Sequence, residues 1–153
     1  MEVFDKILDL LEKNKIDYEL KEHEPSYTSE ESAKNRGEDL KIGAKALILK
    51  INEEFIMCVI SAVKKINSKK LKLILKNKNL RFANINEVKE ITKCVPGSVP
   101  PFGDLFNLEI LIDKSLLENE FIAFNAGLLT KSIKMKKDDY LKLVDGKICD
   151  FVE

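Results

Sequence analysis

The sequence predicts an α+β fold built on a mixed, curved sheet, and three observations carry that expectation. Helical and strand-like patterns are interspersed along the chain without regular βαβ repetition. Two apolar runs, Ala44 to Ile51 and Phe55 to Ile60, are separated only by Asn52, Glu53 and Glu54, the pattern of a hairpin of central, buried strands. No internal repeat, low-complexity tract or linker divides the 153 residues, so 1–153 reads as a single domain able to bury its own core.

Taken in order, Val3, Ile7, Leu10 and Leu11 recur at helical spacing and predict an amphipathic helix ending near Asn14. A short strand from Asp17 to Leu20 follows. Thr28-Ser29-Glu30-Glu31 is a capping box opening a helix that Gly37 stops. After the hairpin, Ser68 is expected to cap a helix carrying Leu71, Ile74 and Leu75. Asn84 or Asn86 caps another that holds Val88 and Ile91. Cys94 to Gly103 contains three prolines and two glycines and cannot be regular structure. Strands at Glu109 to Ile112, Phe121 to Phe124 and Thr130 to Met135 follow, and a last helix runs from Lys137 to Val144.

The formal net charge is zero, from 26 basic and 26 acidic residues, which argues against a strongly nucleic-acid-binding surface. The positive charge is nonetheless clustered: Lys64, Lys65, Lys69, Lys70, Lys72, Lys76 and Lys78 in one stretch, Lys131, Lys134, Lys136 and Lys137 in another. Arg36 and Arg81 are the two arginines. Lysine suits phosphate contact without base readout, and it equally suits a solvated face; both readings stand. The opening MEVFDKILDLLEKNK carries too many charges for a signal peptide or a membrane span. Three scattered cysteines, Cys58, Cys94 and Cys149, point to a reducing, cytoplasmic setting.

Lys45 is the most informative single residue. Strand alternation puts it on the face of Leu47, Leu49 and Ile51, where an ammonium needs an anionic or carbonyl partner or a pocket mouth; a snorkelling lysine at a strand end is the plain alternative. The loop from Pro96 to Gly103 could shape a pocket wall with Phe102 as its apolar surface, or simply connect a helix to a strand. Phe124-Asn125-Ala126-Gly127 reads as a turn whose glycine lets backbone N–H groups approach an oxyanion, or as a turn that needs a positive φ. With His23 the sole histidine, no His-based metal cluster can form, no nucleophilic triad has its context, and neither metal nor cofactor is expected.

These pieces occur in a telling order: His23-Glu24-Pro25, Thr28-Ser29-Glu30-Glu31-Ser32-Ala33, Gly43-Ala44-Lys45-Ala46-Leu47, Pro96-Gly97-Ser98-Val99-Pro100-Pro101-Phe102-Gly103 and Phe124-Asn125-Ala126-Gly127. Together they resemble the YbaK/prolyl-tRNA-synthetase-associated domain family of aminoacyl-tRNA deacylases, from about residue 20 to about residue 143. The resemblance implies a curved, barrel-like mixed sheet with surrounding helices, around a pocket for the 3′ end of a charged tRNA. It implies trans-editing hydrolysis of a small amino acid such as Ala, Ser, Thr or Cys. A non-catalytic module that binds tRNA or a synthetase is the alternative.

Under the resemblance, Lys45 orients the substrate, the N–H near Gly127 meets the oxyanion, and the terminal ribose hydroxyl and water assist. An aminoacyl ester is already activated, so positioning and oxyanion stabilisation suffice without a strong base. Substrate contacts are implied for His23, Thr28, Ser61, Asn125, Leu128 and Thr130. The loop residues Gly97, Pro100, Pro101, Phe102 and Gly103 are implied as the pocket wall. Lys69, Lys70, Lys131 and Lys134 are the expected tRNA-backbone contacts, and an aminoacyl-tRNA synthetase is a further expected partner. Relatives read Ser-His after the FNAG glycine, whereas this chain has Leu128-Leu129, an apolar change that favours a small aliphatic side chain in the pocket.

Overall fold

The computed structural model describes residues 2–25, 28–37 and 39–153. The side chains of Ser29, Ser32, Asn35 and Arg36 lie outside the described set, and with them part of the Thr28–Ala33 motif.

Helix α1 (Val3–Lys13) buries the stripe Val3, Ile7 and Leu11, as the spacing requires, and ends at Asn14. Strand β1 (Tyr18–Glu22) leads to α2 (Ser29–Arg36), where the Thr28 hydroxyl accepts from the Glu31 N–H and Gly37 closes the helix at φ 70°. Strands β2 (Ala44–Ile51) and β3 (Glu54–Ser61) form the expected antiparallel hairpin. Helix α3 (Ser68–Leu75) is capped by Asn67, not Ser68, because the Asn67 side chain accepts from the Lys70 N–H. Strand β4 (Leu80–Phe82), invisible in the apolar pattern because it is short and mostly exposed, precedes α4 (Ile85–Thr92). Asn84 caps α4 in a full capping box. Arg81 clasps Glu87 through both guanidinium nitrogens, at 2.7 and 2.9 Å, and that pairing, with the Asn84 N–H, holds the Glu87 carboxyl down at about 2.

The remaining strands are β5 (Glu109–Asp113), β6 (Phe121–Leu128), β7 (Lys131–Lys136) and β8 (Gly146–Cys149), with α5 (Lys137–Leu143) between the last two. One sheet has the order β1-β7-β6 and is antiparallel. The other has the order β4-β2-β3-β5-β8 and is mixed, since β5 runs parallel to β3 and β8 to β5. The expected mixed sheet is therefore present, but it is divided in two and does not close into a barrel. The sheets meet where Gly43, just before β2, bridges Ala123 of β6 in a parallel sense. Phe124-Asn125-Ala126-Gly127 is not the expected turn. It continues β6 past an irregularity between Asn125 and Leu128, and the chain reverses at Leu129 and Thr130 instead.

The two faces of β2 serve two cores. Ala44 and Ile48 pack with Met57, Val59, Val88, Phe102 and Phe124 beneath α1 and the 94–103 loop. Leu49 packs with Ile60, Leu71 and Phe151, and Leu47 and Ile51 lie against them. The carboxy-terminal residues tie this second core together. The buried Asp113 carboxylate accepts from the Ser115 N–H, the Ser115 hydroxyl and the Phe151 N–H; Phe151 in turn accepts from the Asn67 N–H; and the Glu153 N–H donates to the Lys65 carbonyl.

Tyr140 of α5 is fully buried, and its hydroxyl donates to the Pro101 carbonyl at 2.5 Å. Its ring meets Phe102 edge-on at 5.4 Å, and Phe102 meets Phe124 at the same distance. Burial raises the phenol's pKa, so it keeps its proton and keeps donating. Tyr140→Phe removes that donor and leaves a buried carbonyl unsatisfied, so the folded protein should lose about 1–3 kcal/mol in urea unfolding with an unchanged m-value.

Candidate active site

Lys45 lies one residue into β2, on the face of the α3 core as alternation requires, and is half-buried. Burial lowers its pKa; Glu30 of α2 opposes that shift electrostatically and Lys65 adds to it. Among the described residues, no carboxylate comes within ion-pairing distance of its ammonium. A desolvated cation beside a second cation is an arrangement that an incoming anion or carbonyl oxygen relieves.

The parallel bridge between Gly43 and Ala123 sets the start of β2 beside β6, two residues before Lys45 on one strand and two before Asn125 on the other. Asn125 is held from two sides. Its Nδ2 donates to the Gly97 carbonyl at 2.7 Å, and its Oδ1 accepts from the Ser132 hydroxyl at 3.0 Å. Ser132 is buried and stands 2.7 Å from His23 Nε2. The first turn of the 94–103 loop is thereby fastened to β6, a fastening that the Gly127 N–H repeats by donating to the Ser98 carbonyl at 2.9 Å.

Gly97 also borders a cleft of about 170 Å³, lined by Ala46, Leu47 and Ile48 of β2, Phe82, Ala83, Ile85 and Val88, and Pro96 and Val99. Apart from backbone, this lining is wholly apolar. Phe82 and Ile85 stand at its rim, 54% and 60% exposed. Gly97 joins the cleft to the Asn125 side chain, whereas the Lys45 side chain lies on the other face of β2, with the α3 core.

Residues 23–143 match the family described as aminoacyl-tRNA editing domain. The chain belongs to that family. It is 30% identical to the multifunctional Ser/Thr-tRNA deacylase ProXp-y of Escherichia coli strain K12, over 95% of this chain and 90% of the relative. It is 29% identical to the prolyl-tRNA editing protein ProX of Acetoanaerobium sticklandii, over 88% and 85%. A solved structure described as a putative trans-editing enzyme for prolyl tRNA synthetase superposes with a TM-score of 0.84 at 20% identity, over 100% of this chain and 98% of the other. That level of identity shows the α+β fold. As a member, the chain is an editing domain of the ester-hydrolysing, deacylase type.

Within this editing domain the expected site residues part company. Gly97, Asn125 and His23 are joined along one line of hydrogen bonds through Ser132, and Lys45 stands apart from it on β2. Pro100, Pro101, Phe102 and Gly103 are buried, so this half of the loop is core and not pocket wall. Gly103 is there for packing: a Cβ would lie 2.5 Å from the Ile110 side chain. Ser61 is buried with its hydroxyl donating to the Lys41 carbonyl at 2.7 Å, and the Thr28 hydroxyl serves as a helix cap. The Thr130 carbonyl accepts from the His23 N–H at 2.9 Å. Leu128, 41% exposed, and Leu129 sit at the β6–β7 hairpin tip and do not line the apolar cleft. Among the described residues, no helix is long and apolar enough to cross a membrane, and no group of three His, Cys, Asp or Glu side chains could hold a metal ion.

The Gly127 N–H, expected to meet an oxyanion, is already committed to Ser98. The glycine is required for another reason. It adopts φ 88° and lies under α1, where a Cβ would be 3.1 Å from Val3 and 3.2 Å from the Phe4 nitrogen. Lys70, Lys131 and Lys134, expected on tRNA phosphates, have partners within the protein: Asp150 at 3.3 Å, Glu22 at 2.9 Å and Glu19 at 4.0 Å. Lys69 is exposed on α3. Ser132 was not singled out in the sequence; its position opposite Lys21 in the β1–β7 ladder, between two strands with no motif around it, gave no signal. Gly127→Ala should cost about 1–3 kcal/mol of stability through the strained φ and the collision with α1. Urea unfolding measures it, and an unchanged midpoint would show that α1 yields freely.

Proposed function

We propose that this editing domain acts in trans on aminoacyl-tRNA carrying a small amino acid, hydrolysing the ester between the acyl carbon and the ribose of the 3′ end. The observation that carries the reading is Lys45: a half-buried ammonium without an ion pair among the described residues, with Lys65 nearby, two residues beyond the bridge that joins β2 to β6. Water attacks the acyl carbon, the bond to the ribose oxygen breaks, and that oxygen takes a proton from the water. As negative charge develops on the former carbonyl oxygen, Lys45 is the positive group set to face it. Its desolvation makes that interaction stronger than it would be in water. The Lys64–Lys72 stretch carries Lys65 and Lys69, so it supports an approach of the acceptor arm's phosphates from the α3 side. Lys70, Lys131 and Lys134 would first have to leave their carboxylates.

Lys45→Ala should stay folded by circular dichroism and lose deacylation on the order of 100-fold or more, the scale on which oxyanion donors act. Ester loss from a panel of mischarged tRNAs is the measurement. Full activity in a folded Lys45→Ala protein would sink the assignment and favour a non-catalytic binding module.

The lining of the cleft supports a finer reading. About 170 Å³ walled by Ala46, Ile48, Ala83, Val88 and Val99 suits a small aliphatic side chain and offers a hydroxyl no side-chain partner. Leaving that hydroxyl unpaired disfavours serine, so alanyl-tRNA should be cleared about tenfold faster than seryl-tRNA. Side-by-side rates decide it, and a preference for serine would mean that the side chain binds elsewhere.

A further inference from the structure

A line of four hydrogen bonds runs from Gly97 to Glu24 through Asn125, Ser132 and His23. It ends on a backbone carbonyl at each side, and carbonyls only accept. Gly97 O takes a proton from Asn125 Nδ2 at 2.7 Å, which turns Asn125 Oδ1 toward Ser132. Ser132 must then donate its single hydroxyl proton to that oxygen, at 3.0 Å. His23 Nε2, 2.7 Å from Ser132 Oγ, has to be the donor there. Nδ1, 2.8 Å from the Glu24 carbonyl, has to donate as well. All four bonds exist together only when both ring nitrogens carry protons. Remove one, and three protons remain for four bonds, so one link opens.

We propose that His23 is a positioning residue: as an imidazolium it closes, through Ser132, the line that holds Asn125 against Gly97 at the border of the apolar cleft, without itself touching substrate. This rests on the editing reading for its catalytic consequence, but not for the line itself. Charged groups close to the ring include Lys21, opposite Ser132 in the β1–β7 ladder, Glu22 and Glu24 on its own segment, and Lys131 on β7, which is paired to Glu22. Strand β6 and the 94–103 loop contain no charged residue. When the ring loses its Nε2 proton, the Ser132 hydroxyl turns to the bare nitrogen and Asn125 Oδ1 loses the Ser132 proton. The Gly97 wall then loosens without any change in the residues that face the ester.

Because the chain has one histidine, a ¹⁵N-labelled sample gives one pair of ring signals, free of overlap. In the intact wild-type protein without tRNA, the Asn125 side-chain NH₂ signals should shift with the same midpoint as the His23 ring signals when pH is scanned. Ser132→Ala should let the ring titrate while Asn125 no longer follows, and Ser132→Thr, which keeps the hydroxyl, should restore the coupling. On a substrate tRNA, corrected for uncatalysed ester loss, wild-type kcat/KM should fall about tenfold as the ring deprotonates, the scale of one hydrogen bond to a charged group. Ser132→Ala should be low and flat across the same pH scan. Asn125 signals indifferent to the ring in the wild type, or an activity inflection that survives in Ser132→Ala, would overturn the proposal. Coupled spectra in a protein that clears no charged tRNA would overturn the editing reading, and with it the catalytic role given to the line.

Discussion

The site exists because two sheets are held in a fixed relation where β2 begins. At Gly43 the chain leaves a tight turn and runs alongside Ala123 of β6, and this parallel bridge sets the start of β2, which carries Lys45, against the strand that carries Asn125. Everything else reinforces that junction. The 94–103 loop is laid against β6 by two bonds, Asn125 to Gly97 and Gly127 to Ser98, and its far half is locked below by Phe102, Phe124 and Tyr140. Packed aromatics are poorly compressible, so a loop seated on them has one position open to it. A short polar wall can then stand at the mouth of an apolar cleft without secondary structure of its own.

Much of this was legible in the chain. Amphipathic spacing located α1, the apolar runs located the β2–β3 hairpin, and Thr28 and Gly37 marked the ends of α2. These signals are local, and local rules read them. Lys45 stood out because alternation placed a charge on a face of leucines and isoleucine, and it does lie on that face. What failed were the features that depend on distant partners. Gly127 carries the positive φ that a turn would ask for, yet it lies within β6, and the space a Cβ would need is taken by the Val3 side chain and the Phe4 nitrogen, more than a hundred positions away in sequence. The loop prolines and Phe102 looked like a wall because they are rigid and apolar, properties that core residues share. Strands β4 and β8 are short and partly exposed, and edge strands of that kind carry no periodic pattern.

The lysines teach the same lesson about charge. A cluster in sequence is a list of possible donors, and the fold decides which remain available. Lys131 and Lys134 face Glu22 and Glu19 across the β1–β7 ladder and lie over Phe4 and Phe121, so sheet register has already chosen their partners. Exposed pairs of this kind contribute little to stability. Their effect is on where negative charge is welcome: Lys131 and Lys134 are already answered by carboxylates of β1, as Lys70 is by Asp150.

The carboxy-terminal residues have a consequence for the surroundings of Lys45. Phe151 holds Asn67, Glu153 holds Lys65, and Asp113 secures Phe151 from beneath, so the segment that presents Lys65 to Lys45 is moored by the end of the chain. Clipping the last three residues would remove no side chain from the site. It would nonetheless free the Lys65 segment to swing, and the ammonium of Lys45 would lose the neighbouring charge that makes it ready for an anion. The tail thus works as a tether on the electric field of a site it never touches.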